Sequence, residues 1–272
     1  MVDLKQTMDK RIGKQPVELA ICGALGRMGS RISALAAESP DRFRIVAAID
    51  RPPAHAAPTP VHIATALPAG VDVLIDFSAP AATRAMIASC VEHKTAMVIG
   101  TTGLTAADHT LIDAAAKSIP ILQAANTSLG VNVLLALVAQ TARQLGEAYD
   151  IEIVEAHHKE KKDSPSGTAL SLAEAICSAT GRTITETLVH GRHGTNIPRQ
   201  PGTIGMHAVR MGDVVGEHTV YFATSGERIE LKHTASTRDT FARGALRAAE
   251  FIAGQKPGRY TMRDVLGLAS LC

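Results

Sequence analysis

Two short stretches carry residue types and spacings that could do chemistry. The first is EAHHKEKKDSPSGTAL, residues 155–170, with two adjacent histidines, three lysines and a turn of small residues that opens a helix. Histidine supplies or takes a proton near neutral pH, and lysine does so once its pKa falls. Lys159, Lys161 and Lys162 add positive charge, and a helix starting at Ser166-Gly167-Thr168 turns free N–H groups toward an anion. The combination describes a site that binds a small dianion and gives it a proton. Other chemistries fit worse. HHKEKK lacks the H-E-x-x-H spacing and has no third ligand near it, so no metal is expected. The run S-P-S-G-T is not the G-x-S-x-G turn of a serine nucleophile. His157 and His158 end a strand, so their side chains point to opposite faces unless the chain bends there.

The second stretch is CGALGRMGS, residues 22–30, with glycines at 23, 26 and 29. The spacing G-x-x-G-x-x-G is one residue wider at its start than the common dinucleotide fingerprint. The physical logic is the same: glycines let the backbone approach a pyrophosphate, and the helix that follows points its N–H groups at the charge. Asp50 ends the second strand 21 residues after Gly29, where an acid meets ribose hydroxyls, and Arg51 beside it suits a 2′-phosphate. Two further loops, Gly100-Thr101-Thr102-Gly103 and Ala124-Ala125-Asn126-Thr127, also end apolar strands. Ligands on open α/β sheets bind beyond such strand ends. A dinucleotide site and an anion-plus-proton site in one chain imply hydride transfer followed by protonation.

The elements that must position these residues alternate from Val17 to about Ser128. VELAIC, FRIVAAID, VDVLIDFS, TAMVIGTT and IPILQAAN are strand-like, with helical stretches between them at 28–38, 80–92 and 106–117. Buried strands alternating with helices predict an α/β fold with a doubly wound parallel sheet. After Gly130 the texture changes. VNVLLALVAQTARQLG predicts a helix apolar on most sides and therefore well buried, YDIEIVEAHH a strand, and TALSLAEAICSAT a helix stopped by Gly181. Residues 190–205 hold two prolines and four glycines and read as a long functional or mobile loop. HTVYFATSGERIELKHTA reads as two strands around Ser225-Gly226 with one wet face, which marks a second, α+β domain on an open sheet. The helical tail from Thr240 to Ile252 is expected to return to the first domain. The expected division is 1–128 with 239–272 for dinucleotide binding, and 129–238 for substrate binding.

Composition narrows the class further. The chain has 272 residues, a net charge of +2, no tryptophan and 3% aromatic residues, so neither a nucleic-acid partner nor a membrane surface is expected. No apolar run approaches the length that crosses a bilayer. The segment MVDLKQTMDKRIGKQP reads as a frayed extension. Cys22, Cys90, Cys177 and Cys272 lie far apart; the first three fall in apolar runs as buried small hydrophobes, and a reducing, cytoplasmic setting is expected.

The motifs resemble those of the dihydrodipicolinate reductase family. The resemblance runs from about Val17 to the C-terminus and rests on GxxGRMG at 23–29, GTTG at 100–103, EAHH with KxDxPSGT through 155–168, PGTIG at 201–205 and RMGDVVGEHTV at 210–220. It implies a Rossmann-type domain completed by the C-terminal tail, a mixed-sheet domain that builds a homotetramer, and a hinge that closes one on the other. By the same resemblance Gly23, Ala24, Leu25, Gly26, Arg27 and Met28 hold the diphosphate of NADH or NADPH. Asp50 takes the adenosine ribose and Arg51 a 2′-phosphate. Gly100, Thr101 and Thr102, with Ala124, Ala125, Asn126 and Thr127, flank the nicotinamide. His157 and Lys161 are implied as the proton-handling residues, and His158, Lys161, Ser166, Gly167 and Thr168 as the holders of a cyclic dicarboxylate. The implied reaction takes 4-hydroxy-tetrahydrodipicolinate to tetrahydrodipicolinate on the diaminopimelate route to lysine. The chain departs from the pattern at Thr127, where an aromatic residue is common, at Ser164 for alanine and at Met206 for phenylalanine. The first departure is expected to loosen packing near the nicotinamide loop. A dinucleotide sensor without turnover would not need His157 and Lys161. An aspartate-semialdehyde dehydrogenase would need a cysteine on a loop beyond a strand.

Overall fold

The structure is a computed structural model that describes residues 15–51 and 63–268. Most of the N-terminal extension and Cys272 lie outside the described residues. Along the chain come β1 (Val17–Cys22), α1 (Arg27–Ala37), β2 (Phe43–Ile49), β3 (Ile63–Ala64), β4 (Val73–Asp76), α2 (Pro80–His93), β5 (Ala96–Ile99), α3 (Ala106–Ala115) and β6 (Pro120–Gln123). Then follow α4 (Leu129–Leu145), β7 (Asp150–His157), α5 (Gly167–Thr180), α6 (Ile184–Thr187), β8 (Leu188–His190), β9 (Ile204–Arg210), β10 (Gly216–Thr224) and β11 (Glu227–Ala235). The chain closes with α7 (Asp239–Ile252), β12 (Gly258–Tyr260) and α8 (Met262–Leu266).

Two compact units result: Met1–Ala125 with Ala245–Tyr260, and Asn126–Gly244 with Thr261–Cys272. The first is built on a parallel sheet in the order β12-β6-β5-β4-β1-β2-β3. Sequential strands step outward from β1 in both directions, the doubly wound arrangement that the alternating pattern predicts. Its central strands β4 and β5 are buried at every position because helices cover both faces, and of their residues only Asp76, at the end of β4, is not apolar. The core gathers Ala20, Leu74, Met97, Ile99, Ile112 and Ile121. Two short strands of this unit escaped the sequence reading, as β8 and β9 did in the second. β3 has two residues, and β12 adds the chain's late return as an edge beside β6.

The second unit holds a mixed sheet in the order β11-β10-β7-β9-β8. β10 runs antiparallel to β7 and β11, whereas β7, β9 and β8 run parallel to one another. The hairpin around Ser225-Gly226 is as expected, with Gly226 at φ +92°. The predicted loop over 190–205 is shorter than its composition suggests, because β8 ends at His190 and β9 starts at Ile204. Helices α4 and α5 pack on one face, where Leu134, Val138, Leu172 and Ile176 meet Ile153, Val220 and Phe222. Helix α4 is not buried all round: Val133 and Leu137 are exposed. Helix α5 stops where expected, with Gly181 left-handed at its end. The segment from Thr261 groups with the second unit rather than the first, since α8 packs on α4.

Within the second unit, Gly244 of α7 lies against the backbone of Thr127. A Cβ there would sit 1.7 Å from the Thr127 carbonyl oxygen. Helix propensity favours alanine over glycine by about 1 kcal/mol. Overpacking costs about 1–3 kcal/mol, and a 1.7 Å approach to backbone, which cannot swing aside, belongs to the upper part of that range, so the net loss is about 1–2 kcal/mol. Gly244→Ala is therefore expected to lower Tm by roughly 2–8 °C in differential scanning calorimetry. An unchanged or higher Tm would show that the helix does not sit so close to that loop.

Candidate active site

In the first unit the predicted loops follow β1, β2, β5 and β6. Parallel strands put all of these ends on the same edge of the sheet. β1 lies between β2 and β4, where the order of connection reverses. The glycines have distinct reasons to be glycine. Gly23 is at φ +78°, and a Cβ there would lie 2.5 Å from the Phe77 carbonyl oxygen. A Cβ on Gly29 would lie 2.2 Å from the Gly23 carbonyl oxygen, so the first turn of α1 closes onto the loop before it. Gly26 stands at the N-cap of α1, with no side-chain cap and no acidic residue in the first turn. Gly26 and Arg27 are exposed. An uncapped, exposed helix start with no negative charge fits the diphosphate of a dinucleotide.

Asp50 is tied to this loop. Its Oδ2 accepts the Leu25 N–H at 2.8 Å and its Oδ1 the Arg51 N–H at 2.7 Å. The carboxylate thus fixes the glycine turn while each oxygen keeps a further lone pair for a hydroxyl. Arg51 is exposed. A residue that the sequence reading passed over organises the middle loops. Asp76, fully buried at the end of β4, accepts from the Ser78 N–H and Oγ on one oxygen and from Thr83 and Thr101 hydroxyls on the other. Thr101 therefore faces inward as a strut, while Thr102 beside it is exposed. Burial, helped by Asp76, pushes the Cys22 thiol up to about 12, so this cysteine is inert packing, as expected.

In the second unit the chemistry gathers at the end of β7. His157 is its last residue, 8% exposed, and His158 follows it half-buried outside the strand. Glu155, two residues back on the same strand face, is fully buried. Its four hydrogen-bonding positions are all filled. Oε2 lies 2.6 Å from His157 Nδ1 and 2.8 Å from Arg210 Nη1; Oε1 takes the Ser166 N–H at 3.0 Å and Arg210 Nη2 at 2.9 Å. Arg210 Nη2 also donates to the Asp163 carbonyl at 2.8 Å. Burial pushes the Glu155 carboxyl up, but Arg210, His157 and the Ser166 N–H together outweigh it and hold it below its ordinary value. Burial pulls His157 below its ordinary value, against the opposing pull of Glu155.

Lys161, about one-fifth exposed, places Nζ 2.9 Å from Asp163 Oδ2. Ser166 caps α5, its Oγ accepting the Ala169 N–H at 3.2 Å and lying 3.1 Å from His218 Nε2. Gly167 is exposed, and a Cβ there would meet nothing within 4 Å, so the first turn of α5 opens onto free space. Asn126 Nδ2 donates to Thr168 Oγ1 at 3.0 Å, which brings the end of the 124–127 loop to the same helix start. Thr127 is buried and its hydroxyl donates to the Phe241 carbonyl at 2.7 Å, so the loop is locked there rather than loosened. Met206 is likewise packed in the core.

The structure thus brings His157, Lys161, Ser166, Gly167, Thr168 and Asn126 together in the second unit, and Gly23–Met28, Asp50, Arg51, Gly100–Thr102, Ala124 and Ala125 along the strand ends of the first. Glu155, Arg210 and His218 were missing from the predicted set. Their signals were present: Glu155 stands at i−2 from His157, and Arg210 and His218 lie within RMGDVVGEHTV.

A glycine cradle at a reversal point of a parallel sheet, and a buried histidine beside an open helix start on a second sheet, define the class: a two-unit, nucleotide-binding oxidoreductase. Family models described as dihydrodipicolinate reductase, N-terminus, and dihydrodipicolinate reductase, C-terminus, match residues 17–127 and 130–266. The 4-hydroxy-tetrahydrodipicolinate reductase of Alkalilimnicola ehrlichii is 47% identical over 265 residues, covering 92% of this chain and 98% of that one. The protein of the same name from an Anaeromyxobacter species is 46% identical over 267 residues, covering 93% and 99%. A dipicolinate-bound dihydrodipicolinate reductase from Paenisporosarcina shares the fold, with a TM-score of 0.71 at 22% identity over 91% of this chain and 98% of that one. The chain belongs to the dihydrodipicolinate reductase family. Its activity is the reduction step in diaminopimelate and lysine biosynthesis, carried out with a pyridine nucleotide.

His218 gives this site a pH signature. Burial first, then the neighbouring His157, pulls its pKa from 6.5 down to about 4. The unfolded chain binds that proton near pH 6.5 and the folded chain only near 4, so stability is full above 6.5 and falls as pH drops toward 4. At about 1.4 kcal/mol per pH unit, the loss from pH 6.5 to 5 is roughly 2 kcal/mol from this residue. His157 and His233, also pulled down, act in the same direction. Urea denaturation at the two pH values should show His218→Gln losing roughly 2 kcal/mol less than the unaltered chain. Equal losses would mean that His218 is not held neutral.

Proposed function

We propose that the chain reduces 4-hydroxy-tetrahydrodipicolinate to tetrahydrodipicolinate with either NADH or NADPH, by hydride transfer and then protonation. The observation that carries this reading is the joining of three functional pieces to one buried carboxylate. Glu155 holds His157, the start of α5 and, through Arg210, the turn that carries Lys161 and Asp163.

The reduced dinucleotide, when bound, supplies the hydride. Gly23, Ala24, Leu25, Gly26, Arg27 and Met28 cradle its diphosphate on the uncapped start of α1. Asp50 accepts from a ribose hydroxyl, and the exposed guanidinium of Arg51 meets a 2′-phosphate, so both cofactors are used. Gly100, Thr101 and Thr102 with Ala124, Ala125, Asn126 and Thr127 present backbone and small side chains to the nicotinamide half. In the second unit, Lys161, His158 and the first-turn N–H groups of α5 at Ser166, Gly167 and Thr168 hold the two substrate carboxylates. That grip orients the ring and stabilises the negative charge that spreads into it on reduction. His157 or Lys161 then gives up a proton to the enamine-like product of the first step. The reading extends to a homotetramer in the cytoplasm. The open face of the mixed sheet, which carries Val154, Tyr221 and the exposed Val209, supports self-association.

His157→Gln and Lys161→Ala are each expected to lower kcat by at least ~10²-fold with dinucleotide Kd within about twofold, read from steady-state kinetics and fluorescence titration. Parallel loss of cofactor affinity in both variants would place these residues in the dinucleotide site and overturn their assignment to proton transfer.

A further inference from the structure

We propose that Glu155 and Arg210 form a positioning pair that fixes His157 with its proton on Nδ1, so that Nε2 is the nitrogen that exchanges a proton with substrate. The inference rests on the reading of His157 as a proton-handling residue and deepens it. Glu155 is a fully buried carboxylate whose two oxygens make four hydrogen bonds, two of them to the Arg210 guanidinium and one each to His157 and the Ser166 N–H. Two of its donors, the Arg210 guanidinium and the Ser166 N–H, cannot be acceptors. They hold the carboxylate ionised and oriented, and an ionised carboxylate 2.6 Å from Nδ1 demands an N–H there. The ring is also fixed from the side. His218 of β10 meets it edge-on, with centroids 5.2 Å apart, and a Cβ on Gly216 would sit 3.0 Å from Nε2, so any side chain there would crowd that atom.

The pair also explains why an arginine lies in the site without serving the anion. Arg210 gives both Nη atoms to Glu155 and one of them again to the Asp163 carbonyl, so its charge is spent inside the protein. Lys161 and the start of α5 remain for the substrate. The charged and titratable groups that face His157 are Glu155 on its own strand, Arg210 from β9, His218 from β10 and Lys161 from the turn. Among them only Glu155 favours the imidazolium. Its removal lowers the pH at which His157 carries its second proton.

Two measurements test the pair. In the unaltered chain with ¹⁵N-labelled histidine, the His157 resonances should show Nδ1 protonated throughout and Nε2 as the titrating nitrogen. Nε2 protonated throughout, with Nδ1 titrating, would overturn the proposal without any variant having to fold. In Glu155→Gln, kcat should fall at least ~10-fold while the KM for dinucleotide stays within about twofold. The limb of the kcat–pH profile that belongs to His157 should move to lower pH. A fall in kcat with that limb unmoved would make Glu155 a purely structural residue. The outcomes separate the two readings: if His157→Gln leaves kcat intact while Nδ1 is protonated, the proton role of His157 fails and the pair stands. If His157→Gln is inactive but Nε2 holds the fixed proton, the pair alone fails.

Discussion

The buried carboxylate of Glu155 is the constraint on which the site depends. An ionised carboxylate sealed from water is costly unless every lone pair finds a donor. In this protein the donors come from three separate elements: Arg210 on β9, the N–H of Ser166 at the start of α5, and His157 on β7. Removing one partner of such a group costs about 3–5 kcal/mol. The requirement to satisfy Glu155 therefore holds the register between β7 and β9 and seats α5 on the sheet. The same requirement that stabilises this corner places a histidine, an open helix start and the lysine turn within one small region.

The first unit uses a parallel device. Asp76, also fully buried, is satisfied by one N–H and three hydroxyls. Hydroxyl donors can rotate to fit, so this network ties loops together without fixing a net charge. Asp50 does the same for the glycine turn at the surface. In both units, then, carboxylates at strand ends are spent on shaping the backbone. Arg27 and the uncapped start of α1 in the first unit, and Gly167 at the start of α5 in the second, are left exposed.

Much of this was legible in the sequence because its signals are local. Apolar runs such as VDVLIDFS announced buried parallel strands, Gly181 announced a helix stop, and the glycine triplet announced a close turn. Glu155 and His157 share a strand face by their spacing alone. What was not legible depends on partners far along the chain. Arg210 reaches Glu155 only because β9 pairs parallel with β7, with His157 opposite Arg210. β9 begins at the end of a glycine- and proline-rich loop, and its exposed residues mask its alternation. Asp76 gave no local sign that the hydroxyls of Thr83 and Thr101 would converge on it. The expectation of a well-buried α4 holds for Val131, Leu134, Ala136, Val138 and Ala142, but apolar Val133 and Leu137 on its other side are exposed. Thr127 was read as a loosening substitution, and only the structure supplies the Phe241 carbonyl that takes its hydroxyl.

The central claim is that this site accepts hydride from a reduced pyridine nucleotide onto a cyclic dicarboxylate. The most direct measurement supplies NADH, and in a second run NADPH, deuterated on the transferring face. Each is mixed with freshly generated 4-hydroxy-tetrahydrodipicolinate, and the product is weighed by mass spectrometry. The expected result is cofactor oxidation at 340 nm with one deuterium carried into tetrahydrodipicolinate from either cofactor. Cofactor oxidation without label in the product, or no oxidation by a chain that still binds the dinucleotide, would contradict the claim.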